Sequence, residues 1–187
     1  KAKTPIRDSI AEIMLFAKQL QFKPNTIIDV GVNTGTPGLF EFFPDAKLLM
    51  IDPISENEPF MQYISSLYDD AYYDVCAAST NKGELTMSVF PSYGGSAVIE
   101  VVGRQMKSVD RKVPACRIDD LVEKYGATGP FVIKVDTEGG EMDVLGGAVK
   151  TLEQTEILIL ETRVRPYLNA PVLLDVTDKL RAWGFLP

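Results

Sequence analysis

The run Phe131-Val132-Ile133-Lys134-Val135 ends in Asp136-Thr137-Glu138-Gly139-Gly140-Glu141, and Met142, Leu145 and Ala148 then follow at helical spacing. A short, almost wholly apolar segment of this kind reads as a strand buried on both faces, which calls for a parallel sheet covered by helices on each side. The acidic and glycine residues fall at the strand's carboxyl end, where open α/β sheets place their ligands. A second segment, Ile27-Ile28-Asp29-Val30-Gly31-Val32-Asn33-Thr34-Gly35, repeats the design upstream. Together they make an enzyme using a nucleoside cofactor the leading reading.

The rest of the chain alternates in the same way. Ile6, Ile10, Ile13, Met14, Ala17 and Leu20 recur at helical spacing behind Thr4-Pro5, which predicts an amphipathic helix over 5–21. Strands are expected over 26–30, 48–51, 72–77, 131–135 and 156–161. Helices are expected around 39–43, 57–68, 118–125, 140–152 and 172–183, with Phe60, Ile64 and Leu67 on one face of the second and Asp119 or its predecessors capping the third. Residues 84–90 alternate in polarity and, with 98–102 and 112–116, predict a small β insertion around 84–116. A glycine-containing loop at 91–96 interrupts it and suits an acceptor lid or an ordinary connection. The expected fold is α/β: a doubly wound, mostly parallel sheet with helices on both faces. One domain is expected over 1–187, with an N-terminal helical part (1–24) and a cofactor-binding core (25–187). The sequence stops at Trp183-Gly184-Phe185-Leu186-Pro187, where another strand is expected to begin, so either the natural protein continues with closing strands or the sheet is unusually short.

Composition narrows the chemistry. The 187 residues carry a net charge of −7, which disfavours a nucleic-acid partner. The apolar runs, such as Ile157-Leu158-Ile159-Leu160, are strand-sized and too short to span a membrane. No basic-then-apolar leader opens the chain, so a cytoplasmic protein is expected. There is no histidine, and Cys76 and Cys116 are the only cysteines. That excludes the usual His- and Cys-rich zinc sites and leaves acid–base work to carboxylates, lysine, tyrosine or a hard metal ion. Both cysteines are expected to be small buried residues in a reducing compartment. No residue pattern specifies an oligomeric state.

In Gly31-Val32-Asn33-Thr34-Gly35 the glycines let the backbone approach a ligand, and a helix behind the turn would offer free N–H groups. A dinucleotide fingerprint needs a glycine where Asn33 stands, so NAD is disfavoured. Asp52 lies 21 residues beyond Gly31 at the end of the second strand, where a carboxylate can accept both ribose hydroxyls. The alternatives are a tight turn without ligand and a carboxylate that caps the next segment.

These residues resemble the FkbM family of S-adenosylmethionine-dependent methyltransferases. The resemblance rests on Ile28 to Gly35, on Ile51-Asp52-Pro53, and above all on Ile133-Lys134-Val135-Asp136-Thr137-Glu138-Gly139-Gly140-Glu141 with Val144-Leu145-Gly146-Gly147-Ala148. Arg117-Ile118-Asp119-Asp120-Leu121, Leu160-Glu161 and Asn81-Lys82-Gly83-Glu84-Leu85 add smaller agreements. The resemblance implies S-adenosyl-L-methionine as cofactor and methyl transfer to oxygen, often on a sugar, glycan or secondary-metabolite hydroxyl. An NAD-dependent oxidoreductase and a non-catalytic nucleoside-binding module are the competing readings.

A methyltransferase must align oxygen, carbon and sulfur and exclude water. Asp136, Glu138 and Glu161 are the candidate bases at strand ends. Lys134 shares a strand face with Asp136 and can hold it ionised. Asp136 is expected to contact the cofactor amine or the acceptor hydroxyl. Gly31, Asn33 and Gly35 are expected to shape the methionyl pocket, Asp29 to order its loop, Asp52 to bind ribose, and Cys76 and Ala77 to flank adenine. Mg²⁺ held by Asp136 and Glu161, with or without Glu138, is a less favoured variant. Three structural roles compete with these: Glu138 against a helix dipole, Glu161 paired with Arg163 or Arg165, and Lys134 in a salt bridge. Tyr167 and Trp183 are candidates for stacking on a sugar, or for the core.

Overall fold

The computed structural model describes residues 9–36, 38–90, 108–162 and 172–186. Five parallel strands form the main sheet: β1 (Thr26–Val30), β2 (Lys47–Ile51), β3 (Ala71–Asp74), β7 (Phe131–Val135) and β8 (Thr155–Leu160). Their order is β3-β2-β1-β7-β8, with parallel pairing at every junction. β1 and β7, at the centre, are buried along their whole length. β8 lies at an edge and is only half-buried.

Helices cover both faces, as the apolar strands require. On one face, α1 (Ile10–Gln19) and α2 (Glu58–Ser65) pack Met14 and Met61 against Ile27, Leu48, Met50 and Val132. On the other, α3 (Ile118–Lys124), α4 (Glu141–Gly146), α5 (Val149–Leu152) and α6 (Leu173–Ala182) cover Ile28, Leu49, Ile133 and Val135. A second sheet, β4 (Ala77–Ala78), β5 (Gly83–Val89) and β6 (Val109–Cys116), runs in the order β4-β6-β5. It is the expected insertion. Its inner side chains Met87, Val89 and Val113 close with Ile54 and Ala77 into a third core.

Ser9 caps α1 by accepting from the Glu12 N–H at 3.3 Å; the expected start at Thr4-Pro5 lies outside the described residues. So do 98–102, the loop at 91–96, Tyr167, Arg163 and Arg165. The helix expected at 39–43 is absent. The segment makes successive turns instead, such as Phe43 N–H to the Phe40 carbonyl, because α1 lies against it: a side chain at Gly38 would meet the Ala11 Cβ at 2.6 Å. On α2 Met61 is buried and Ile64 packs against the core as predicted, while Phe60, and Leu67 just beyond the helix, are exposed. The helix expected over 140–152 breaks into α4 and α5 at Gly147, whose α-carbon lies close to the Ser79 carbonyl. Asp119 does not cap its own helix. It reaches across to α5 and accepts from the N–H groups of Lys150 and Thr151 and from the Thr151 hydroxyl.

The expectation of two unpaired thiols is corrected. Cys76 and Cys116 form a disulfide across 40 residues of sequence. β4 pairs with Ala115 and Cys116 of β6, which brings the two α-carbons to 6.2 Å, within bonding range. The reducing-compartment argument for a cytoplasmic chain therefore lapses. Among the described residues, no helix is long and apolar enough to cross a membrane.

Candidate active site

Parallel strands in register end together, so the residues just beyond them form a row. The Asp52 N–H bonds the Asp74 carbonyl, Gly31 N–H the Ile51 carbonyl, Asp136 N–H the Val30 carbonyl, and Glu161 N–H the Val135 carbonyl. Asp52, Gly31, Asp136 and Glu161 thus stand side by side along the carboxyl edge of the sheet. A cavity of about 480 Å³ opens above Asp52, Gly31 and Asp136, within the range of small-molecule sites.

Gly31 sets the spacing. Its φ is +78°, a conformation that disfavours other residues, and an added Cβ would collide with the Asp136 carbonyl. Two non-glycine residues beside the cavity, Asn33 (φ +51°) and Glu138 (φ +56°), also adopt left-handed backbone. Asparagine tolerates this, whereas for glutamate it is uncommon. Strain of this kind is retained where surrounding structure over-determines it. Glu141 is that structure: its Oε1 accepts from the N–H groups of Thr137 and Gly139 and from the Thr137 hydroxyl, holding the turn that presents Asp136 to Glu138.

Beneath the row, Lys134 and Asp29 are cross-strand neighbours, with side chains 7% and 0% exposed. The Lys134 ammonium donates to the Gly31 carbonyl at 2.8 Å. It also lies 3.3 Å from Asp29 Oδ1 and 3.7 Å from Asp136 Oδ2. Burial raises the Asp29 pKa, against the pull of Lys134 and of the Thr36 hydroxyl on its second oxygen. Breaking a buried pair like this leaves an uncompensated charge and costs about 3–5 kcal/mol.

Asp52 is 3% exposed. Its Oδ2 accepts from Asn33 N–H at 2.8 Å, and its Oδ1 from Ile54 N–H at 2.8 Å and the Asn57 amide at 3.1 Å. Burial raises its pKa, and these three donors oppose the rise. A carboxylate offers about four acceptor positions, so one remains for a ligand rather than the two anticipated for a ribose diol. Glu161 has a raised pKa, first through the charge of Asp136, then through partial burial and its hydrogen bond with Asp136, with Lys134 opposing.

Of the residues anticipated from sequence, Gly31, Asn33, Asp52, Cys76, Ala77, Asp136 and Glu138 line the cavity. Lys134 and Asp29 support it from below. Glu161 borders Asp136 outside the lining, and Gly35 faces Ile64 of α2. Trp183 follows α6 and is 44% exposed. Ile54, Asn57, Met87, Asp143 and Val144 also line the cavity and were missed. Asn57 carries no local signal, and Met87 reaches the site only because the second sheet folds over it. Among the described residues, no group of three or more His, Cys, Asp or Glu side chains is arranged to hold a metal ion.

A mostly parallel sheet flanked by helices, with its glycine turn and acidic row at one edge, defines an α/β protein of Rossmann-like architecture. The family model of the methyltransferase FkbM domain matches residues 29–187, and the chain belongs to that family. It is a methyltransferase by family, which sets aside the oxidoreductase alternative. No curated protein and no solved structure matches it.

Proposed function

We propose that this chain, read as one domain over 1–187, uses S-adenosyl-L-methionine to methylate a hydroxyl on a sugar, glycan or secondary metabolite. The observation that carries the reading is the row Asp52, Gly31 and Asp136 beneath the cavity, with Glu161 next to Asp136 at its edge. It supplies a ribose acceptor, a bare backbone approach and paired carboxylates in sequence along one edge. The cofactor, when bound, supplies an electrophilic methyl group on a sulfonium. Asp52 takes one ribose hydroxyl through its remaining acceptor position, and the carbonyl of Asn57 takes the other. Gly31 and Asn33 shape the methionyl end. Asp136, held by Lys134, draws the proton from the acceptor hydroxyl, and Glu161 and Glu138 lie on the acceptor side.

Titration with S-adenosylhomocysteine and transfer of labelled methyl to a panel of hydroxyl acceptors test this. Asp52→Ala should weaken binding roughly 10–100-fold, the worth of a charged hydrogen bond. Asp136→Ala should bind normally yet lose about 10²–10⁴-fold in turnover. Cofactor binding without transfer to any acceptor would favour a non-catalytic module, and unchanged turnover in Asp136→Ala would remove the assigned base.

A further inference from the structure

The cavity lining mixes two kinds of residue: Asn33, Asp52, Asp136 and Glu138 bring polar groups to it, and Ile54, Ala77, Met87 and Val144 bring apolar ones. Ile54, Ala77 and Met87 pack together, and the apolar faces are suited to a flat aromatic ring. Asp143, on α4 next to Val144, also lines the cavity.

Asp143 is fixed there by two hydroxyls from the segment just after β4. Ser79 donates to Oδ2 at 2.6 Å, and Thr80 donates to Oδ1 at 2.8 Å. The glycine pair Gly146-Gly147 makes the approach possible. A side chain at Gly146 would meet the Thr80 hydroxyl at 2.5 Å, and one at Gly147 would run into the Ser79 carbonyl. Helix α4 therefore lies directly on the Ser79-Thr80 segment, and its first turn places a carboxylate beside Ala77 and Ala78. Two of about four acceptor positions on that carboxylate are used; two remain.

We propose that Asp143 determines base specificity, accepting a hydrogen bond from the exocyclic amine of an adenine ring lodged between Ile54, Ala77, Met87 and Val144. Its two hydroxyl donors hold the carboxylate as an acceptor, so a ring offering a donor is favoured over one that does not. The inference rests on the adenosyl-cofactor reading above but names a residue which that reading does not use.

The test compares S-adenosylhomocysteine with its 6-unsubstituted purine analogue, which keeps the ring and lacks the amine. Titration calorimetry on the wild-type chain should show the analogue binding roughly 10–100-fold more weakly, the cost of losing a hydrogen bond to a charged group. In Asp143→Ala the two ligands should bind within about threefold of each other, close to the limit of a lost neutral contact. Asp143→Asn, which keeps a carbonyl acceptor and the fold of the first turn, should retain part of the preference. Equal binding by the wild type would overturn the proposal without needing any variant, as would full discrimination in Asp143→Ala. Failure of the wild type to bind either ligand would instead sink the adenosyl reading itself.

Discussion

Asp136 and Glu161 follow neighbouring parallel strands, so their backbones lie about one strand spacing, ~4.8 Å, apart. The charge of Asp136 raises the Glu161 pKa above the ordinary 4.5, and partial burial adds to the rise, so Glu161 keeps its proton to higher pH than an isolated glutamate. Asp136→Asn removes that charge, and the Glu161 carboxyl, followed by NMR, should then ionise at lower pH than in the wild type. A Glu161 titration that stays put would show that Asp136 does not act on it. Lys134 belongs to the same unit, since its ammonium joins the Gly31 carbonyl to the carboxylates of Asp29 and Asp136. Its position was legible from its spacing to Asp136. Its contact with Gly31 was not, because that depends on how β1 and β7 pair.

The disulfide ties β6 of the small sheet to the segment following β3 of the large one. Closing a loop of this length restrains the unfolded chain by about 4 kcal/mol in the chain-entropy model. Urea unfolding followed with and without a phosphine reductant should show a loss of about that size. Cys76→Ala should start at the lower stability and not respond to reductant. Cys76 lines the cavity, so cofactor affinity should fall alongside. A reductant-insensitive wild type would contradict the bridge. The same region marks where the sequence stopped being informative. β1 and β7 were predicted to the residue because their apolar runs and glycine stops are local signals. The bridge, the split between α4 and α5, and the turns that replace a helix at 39–43 come from contacts remote in sequence: β4 on β6, Gly147 on Ser79, and Gly38 on Ala11. Periodicity carries no record of those.

The small sheet packs Met87, Val89 and Val113 against Ile54 and Ala77, and its Arg111 grips Glu56 with both guanidinium nitrogens at 2.6 and 2.8 Å. That fork holds the Glu56 carboxyl down at about 2. It also anchors the turn carrying Ile54 and Asn57, so the two sheets share one cleft rather than merely adjoining. Over the entire chain the charge is −7, and acidic groups gather along the cleft floor. An adenosyl sulfonium would enter this field as a cation and leave it as a neutral thioether. The protein would therefore attract what it consumes and hold what it makes more loosely, a bias that eases turnover without any moving part. Raising ionic strength should weaken binding of the sulfonium form more than that of the thioether, since only the sulfonium ligand carries a net positive charge for the acids to attract. Equal salt sensitivity in parallel titrations would mean that the acids play no part in telling the two apart.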